Sequence, residues 1–184
     1  MVVITARKGH DMNLIRAIIC SAAAVGSAVA TAATGSANPD TMLVCSAEHG
    51  VDVTHIDGRT GCRAAAEDGL ARATGAGGVG YAYAARGASA LGIGAAGGVG
   101  ASQGFGGIPI AVGVGQDAMA TSTVGDADGG GQVAVAIAFE GSRAEAGGPD
   151  DPAVCLGAGA FAWSTTSGQS CLATPFGKWD VAAP

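Results

Sequence analysis

The sequence predicts a single mainly-β domain, an Ala/Gly-rich β-solenoid or β-roll with disulfide-braced ends; the alternative is a small β-sandwich. Three observations predict it. Apolar residues recur with a period of two. Helical spacing is hard to find after residue 40. Glycine-rich corners, such as Gly97-Gly98, Gly106-Gly107, Gly129-Gly130-Gly131 and Gly147-Gly148, separate the alternating segments. Period-two alternation marks strands, and glycine at this density costs a helix roughly 1 kcal/mol per residue.

Taken in order, the first segment alternates Val51, Val53 and His55 with Asp52, Thr54 and Ile56. The one plausible helix follows, Arg63–Arg72, interrupted by Gly69. Tyr81 and Tyr83 then alternate with Ala82 and Ala84, and the beat continues through Ser89, Leu91 and Ile93. Ile108, Ile110, Val112 and Val114 alternate with Pro109, Ala111, Gly113 and Gly115. Val133, Val135, Ile137 and Phe139 alternate with Gln132, Ala134, Ala136 and Ala138. Phe161 and Trp163 follow Gly157 and Gly159. Each segment should place large residues on one face and small ones on the other. The large faces are expected to form a narrow core of Val, Ile and Leu, while the small residues let backbones approach closely. The strand centres, near residues 53, 82, 91, 111, 136 and 160, show no fixed period. A stack of coils needs capped ends.

Two regions are expected. Residues 1–37 hold a secretory signal peptide, with Met12 as the true start, because Asp11 sits badly in a positive leader. Arg16 supplies the charge, residues 17–30 the apolar stretch, and Ala28-Val29-Ala30 a small-x-small cleavage pattern. Ile19 before Cys20 argues against a lipoprotein. The apolar run is too short and alanine-rich to span a bilayer comfortably, so no integral span is expected after cleavage. Residues 38–184 form the single domain. The expected localisation is secreted or cell-envelope associated.

From Asn38 onward four cysteines remain: Cys45, Cys62, Cys155 and Cys171. An even count in an exported chain implies disulfides. Of three possible pairings, Cys45–Cys62 and Cys155–Cys171 close two short loops, one near each end. Each would stabilise by about 3 kcal/mol through loop-closure entropy. Zinc is disfavoured, since no close-set Cys pairs are present. From the same point there are six Lys or Arg and fourteen Asp or Glu, a net charge of −8. That balance argues against nucleic acid and anionic membrane surfaces as partners. Leu, Ile, Val and Phe make up under a fifth of these residues, a level that signals disorder when charge is high. Here the charge is modest and the cysteines argue for a fold.

The motifs that could carry chemistry all lack their context. Gly75–Gly80 and Gly92–Gly97 match GxGxxG, but neither precedes a clear helix or a well-spaced acid. Gly100–Gly104 matches GxSxG around Ser102, but no histidine follows it. His49, His55 and Asp57 could share a strand face, yet six residues separate the histidines, too far for one ion on a straight strand. Gly125–Gly131 holds Asp126 and Asp128, too few oxygens for calcium. No catalytic residue, metal site or cofactor is expected, and the chain is expected not to be an enzyme. An enzymatic reading, the least favoured, would centre on His49, Asp52, His55 and Asp57. The aromatics concentrate at the C-terminal end, in Phe161, Trp163, Phe176 and Trp179. They form either a cap core or a patch for a sugar or partner protein. The function expected is a structural or interaction module, with an extracellular ligand- or glycan-binding protein as the alternative. A homo-oligomer is possible in either case.

Two resemblances are carried by quoted segments. ASALGIGAAGGVGA and IPIAVGVGQDAMA resemble the heads of trimeric surface adhesins, which repeat a short coil in a parallel β-roll. This sequence carries no coiled-coil stalk, so a trimer does not follow. VDVTHIDGRTGCRA (51–64), GGVGYAYA (77–84), AAGGVGASQG (95–104), VAIAFEGSRA (135–144) and CLATPFGKW (171–179) resemble a family of small exported actinobacterial proteins of unknown function. That resemblance covers roughly residues 45–180 and implies no activity and no catalytic residues.

Overall fold

The computed structural model describes residues 3–4, 41–125, 131–148 and 150–182. The expected signal peptide at 12–37, the start at Met12 and the loop aspartates Asp126 and Asp128 lie outside the described residues. Among the described residues sixteen strands run in chain order. They are β1 (Val3–Ile4), β2 (Met42–Glu48), β3 (Asp52–Asp57), β4 (Thr60–Ala66), β5 (Leu70–Ala76), β6 (Val79–Ala85), β7 (Ser89–Ala95) and β8 (Val99–Phe105). The remainder are β9 (Ile108–Val114), β10 (Met119–Val124), β11 (Val133–Phe139), β12 (Arg143–Ala146), β13 (Val154–Leu156), β14 (Ala160–Ser164), β15 (Ser170–Thr174) and β16 (Gly177–Val181). They form two eight-stranded sheets. Sheet A is ordered β1-β3-β4-β6-β8-β10-β12-β13, and sheet B is ordered β16-β15-β14-β11-β9-β7-β5-β2.

From β4 to β12 consecutive strands alternate between the sheets, and neighbours within each sheet run parallel in this stretch. This is a β-solenoid with two strands per coil. The advance per coil is 18 residues from Gly61 to Val79, 19 from Leu91 to Ile110, and 20 from Val79 to Val99 and from Val99 to Met119. The step changes along the stack, in keeping with the expectation of no fixed period. The repeat is visible in Gly77-Gly78-Val79-Gly80 and Gly97-Gly98-Val99-Gly100. It is obscured because the coil from Ile110 to its partner Val135 is longer, at 25 residues, and because the ends are not coils.

The corners reuse one device. Ala96 (φ 50°) and Gly97 (φ 84°) both adopt positive φ, as do Arg86-Gly87 and Glu140-Gly141. The Gly98 N–H donates to the Ala95 carbonyl at 2.8 Å and closes the turn. Two successive positive φ values define the tight type I′ geometry, which glycine at the second position eases.

The expected core of Val, Ile and Leu is also corrected. The residues between the sheets are small: Ala82, Ala84, Ala111, Ala120, Ala134 and Ala136 are all fully buried. Leu91, Ile93, Ile110, Val112, Val135 and Ile137 instead point outward and stay partly exposed. The cause is spacing. A Cβ on Gly92 would run into the carbonyl oxygen of Tyr81, and one on Gly113 into that of Val99, each on the opposite sheet. Where the backbones of the two sheets nearly touch, large side chains turn outward; Val124, at the end of β10, is a large apolar side chain that is fully buried. Two buried hydroxyls bond across this narrow interior: Ser102 Oγ donates to the Pro109 carbonyl at 2.8 Å and Ser122 Oγ to that of Ala134 at 2.7 Å, whereas Ser164 Oγ is buried without a partner among the described residues. A core of alanine and glycine buries little apolar area per residue, so backbone ladders carry more of the stability than usual.

The expected helix at Arg63–Arg72 is overturned. No helix occurs among the described residues. The segment is the end of β4, a bend at Glu67–Gly69, and the start of β5. Ala64, Ala66, Ala71 and Ala73 all point into the core, and both strands gain parallel ladder partners in β6 and β7. Tertiary pairing outweighs the helical preference of Ala and Glu.

The two ends are closed by antiparallel strands. β2 and β3 cap one end, and β13 to β16 cap the other. Each cap holds a disulfide, with the pairing expected. Cys45 on β2 joins Cys62 on β4, Cα atoms 5.7 Å apart, and Cys155 on β13 joins Cys171 on β15, 5.8 Å apart. Both bonds cross from one sheet to the other and staple the terminal rungs. They suit an extracellular or otherwise oxidising environment.

Candidate interaction surface

In-register pairing turns the alternation of each strand into continuous rows across a sheet. On the outer face of sheet B one row begins Val44–Thr74–Ile93–Val112, on β2, β5, β7 and β9. It continues Ile137–Phe161–Leu172–Trp179, on β11, β14, β15 and β16. The adjacent row begins Ser46–Arg72–Leu91–Ile110 and continues Val135–Trp163–Ser170–Val181. Arg72 is the single charged side chain in these two rows. A partial third row, Ala95–Val114–Phe139, widens the surface. With strands about 4.8 Å apart and residues rising about 3.3 Å, the two rows and their margins cover roughly 600 Å² of plane. That reaches the upper end of the apolar patches ordinary monomers expose.

The aromatic residues expected to gather at the C-terminal end are divided by this geometry. Phe161, Trp163 and Trp179 stand on the outer face of sheet B, each between a third and about half exposed. Phe161 faces Leu172 across the ladder, and Leu172 faces Trp179. Phe176 is not in the rows; it lies at the β15–β16 turn and is 93 % exposed. The interior of the cap consists of Ala160, Ala162, Ala173 and the Cys155–Cys171 pair. The aromatics are therefore outside the cap core.

Sheet A presents a different outer face. Arg63 lies opposite Tyr81, and Thr121 opposite Glu145, with Tyr83, Gln103 and Thr123 in the next row. A neighbouring outward row, Ile56–Gly61–Val79–Val99–Met119–Arg143–Leu156, is apolar but for Arg143, while the polar groups of this face satisfy one another. Arg63 forms a two-pronged pair with Asp52, the Nη2–Oδ2 distance being 2.6 Å. Arg143 pairs with Glu145 at 3.1 Å, and Tyr83 donates its hydroxyl to Glu67 at 2.6 Å. Partial burial, then that hydrogen bond to Glu67, pushes the Tyr83 phenol well above its ordinary range. Burial likewise raises Tyr81, with the nearby Arg63 opposing it.

The remaining motif residues take structural places. Ser102 of the GxSxG match is buried on β8, its hydroxyl turned to Pro109. Gly75–Gly80 runs from β5 through a turn into β6, and Gly92–Gly97 from β7 into a corner. His49 sits in the turn after β2 at φ 46°, while His55 pairs with Cys62 and Asp57 with Thr60 across the β3–β4 ladder. Asp52, on the same strand, is engaged by Arg63. Among the described residues no three His, Cys, Asp or Glu side chains gather as a metal site would require.

What the sequence missed is the continuity of the sheet B face. The alternating segments that compose it were visible, but their large residues were assigned to the interior. The distinguishing signal was the size of the alternate positions, where Gly92, Gly94 and Gly113 leave no room between sheets for larger neighbours. Against known proteins, neither a curated protein nor a solved structure matches this chain. The chain belongs to a family of unknown function, DUF6764, whose family model matches residues 10–174.

Proposed function

We propose that this family member is an exported, non-enzymatic structural or interaction module of the cell envelope or secretome, working through the outer face of sheet B. One observation carries the reading: two uncharged-but-for-Arg72 rows cross all eight strands of that sheet, on a chain whose interior is mostly alanine and glycine. A patch at the upper end of what monomers expose is often a functional surface. The polar groups of the described residues support the non-enzymatic half. They are dispersed or satisfied, as Asp52 is by Arg63 and Ser102 by Pro109. The paired cysteines support export.

The test is a photo-crosslinking amino acid placed at Val112, at the centre of the face, and separately at Thr121 on the outer face of sheet A, in cells that make the protein. Adducts are expected from Val112 and not from Thr121. Equal yields from both would reject the face as the working surface. Cell fractionation checks export: the protein should appear outside the cytoplasm with no free thiols.

A second reading rests on the C-terminal third of the same face. Phe161, Trp163 and Trp179 concentrate there, and aromatic planes of this kind suit sugar rings. It predicts that a glycan quenches tryptophan fluorescence and that Trp179→Ala abolishes the effect while the fold survives.

A further inference from the structure

We infer that the occupant of the sheet B face is a second copy of the same chain, docked face to face about a two-fold axis. This inference rests on the interaction-module reading above and names its partner.

Area is the first argument. A plane of roughly 600 Å², raised by the relief of Trp, Phe, Ile and Leu side chains, approaches the about 800 Å² per partner of a standard stable complex. A second copy supplies an equal plane, so the whole face is covered in one contact. Shape is the second. The face is a ladder of in-register rows, and the side chains that could not enter the solenoid are those that ordinary sheet-on-sheet packing interdigitates across about 10 Å. The solenoid cannot use that packing internally, because Gly92 and Gly113 already meet the backbone of the other sheet. Only an external sheet with an equally large-residue face completes it. A single planar patch that is self-complementary in chemistry produces an isologous pair.

Charge is the third argument. Interfacial lipid binders surround their apolar face with Lys and Arg. Here the two rows hold one cation, Arg72, and the chain carries a net charge of −6, which an anionic surface repels. An unlike protein would need its own uncharged plane of this size; a second copy has one by construction. The sheet A faces, where Arg63, Glu145 and Tyr83 interrupt the apolar residues, would then point outward on both sides of the pair.

The first measurement is the solution mass of the purified chain by light scattering on a gel-filtration column, for the natural sequence and for Val112→Lys. The expected result is twice the mass of the purified chain, which is 17.5 kDa for all 184 residues and less once residues 1–37 are removed. Val112→Lys should weaken association at least 100-fold and give a monomer with an unchanged β circular-dichroism spectrum. Thr121→Lys, on the opposite face, should leave the dimer intact. A monomer at micromolar concentration, a trimer, or a dimer that survives a folded Val112→Lys would overturn the inference. If Val112→Lys does not fold, the crosslinker at Val112 decides. An adduct at double the chain mass supports the pairing, and its absence overturns it. The same experiment separates the two claims. Adducts at Val112 with a different protein keep the interaction module and reject the second copy, whereas no adduct at all rejects both.

Discussion

The two faces of sheet B obey opposite rules, although they alternate residue by residue along the same strands. Inward, Gly92, Ala111, Gly113, Ala134 and Ala136 are buried to the last atom or nearly so. Outward, Leu91, Ile110, Val112, Val135 and Ile137 keep part of their surface in water. Ordinary domains reverse this, with size inside and small or polar residues outside. The difference teaches that the solenoid is held by approach rather than by volume. Its sheets come so close that a methyl group is too much at some positions, and apolar size is displaced to a face where only another molecule can use it.

The strongest way to break the comparison is to put size inside. Gly92→Val would drive a branched side chain against the carbonyl of Tyr81, backbone that cannot swing aside. Overpacking costs typically about 1–3 kcal/mol, and a clash with backbone lies at or beyond the top of that range. Leu91→Ala, one residue away and outward, should cost the isolated chain no more than about 1 kcal/mol. Urea midpoints of the two variants check this directly. Equal midpoints would mean that the sheets are not held as close as the geometry requires.

The disulfides sharpen it next, since both occupy inward positions at the terminal rungs. Replacing Cys155 and Cys171 together by Ser opens a loop of 16 residues and should lose about 3 kcal/mol in the loop-entropy account. The loss should appear first at the C-terminal cap, as faster hydrogen exchange in β13 to β16 than in β6 to β9. Uniform acceleration would instead mean that the staple serves the whole stack.

A smaller effect isolates one buried hydroxyl. Ser122 is fully buried and donates to the Ala134 carbonyl on the opposite sheet. Ser122→Ala should cost about 1 kcal/mol, and Thr121→Ala, facing out of sheet A, close to none. Thermal melts read the contrast, and a reversed order would show that the cross-sheet bond contributes little.

Much of this architecture was legible beforehand, and the part that was not has a physical cause. Period two is a property of the backbone, so the strands around Tyr81, Leu91, Ile110 and Val135 could be read from alternation alone. The cysteines could be paired because short loops at the two ends favoured one arrangement. Which face is inside could not be read that way. Alternation is symmetric, and the usual rule that large means buried points the wrong way here. Strands such as β8, interrupted at its centre by Ser102 and Gln103, and β10, with Thr121, Ser122 and Thr123, carry little hydrophobic alternation. They are strands because the coils before and after them are in register. The candidate surface was legible only in fragments. Three of the four C-terminal aromatics lie on it, but the rows that join them to Ile93 and Val112 exist only once the coils are stacked.

The smallest expected effect tests the other sheet. On sheet A the outward face is mixed: an apolar row through Val79, Val99 and Met119 lies beside polar residues that are satisfied within the chain, as Tyr83 is by Glu67. Partial burial and that hydrogen bond raise the folded-state pKa of Tyr83 above the value of about 10 it has when unfolded. The folded chain therefore holds the phenolic proton more tightly than the unfolded chain does. Any stability linked to it is complete below pH 10 and falls as pH rises above 10, where the unfolded state loses its proton first. Ultraviolet titration of the phenolates should accordingly show delayed ionisation in the folded protein. Glu67→Gln should bring part of that delay back towards the free value, and Tyr83→Phe should flatten the decline of melting temperature above pH 10. An undelayed titration would mean that the outer face of sheet A is as open to water at Tyr83 as the margins of sheet B are at Val44. The contrast between a self-satisfied face and an unsatisfied one would then rest on the ion pairs alone.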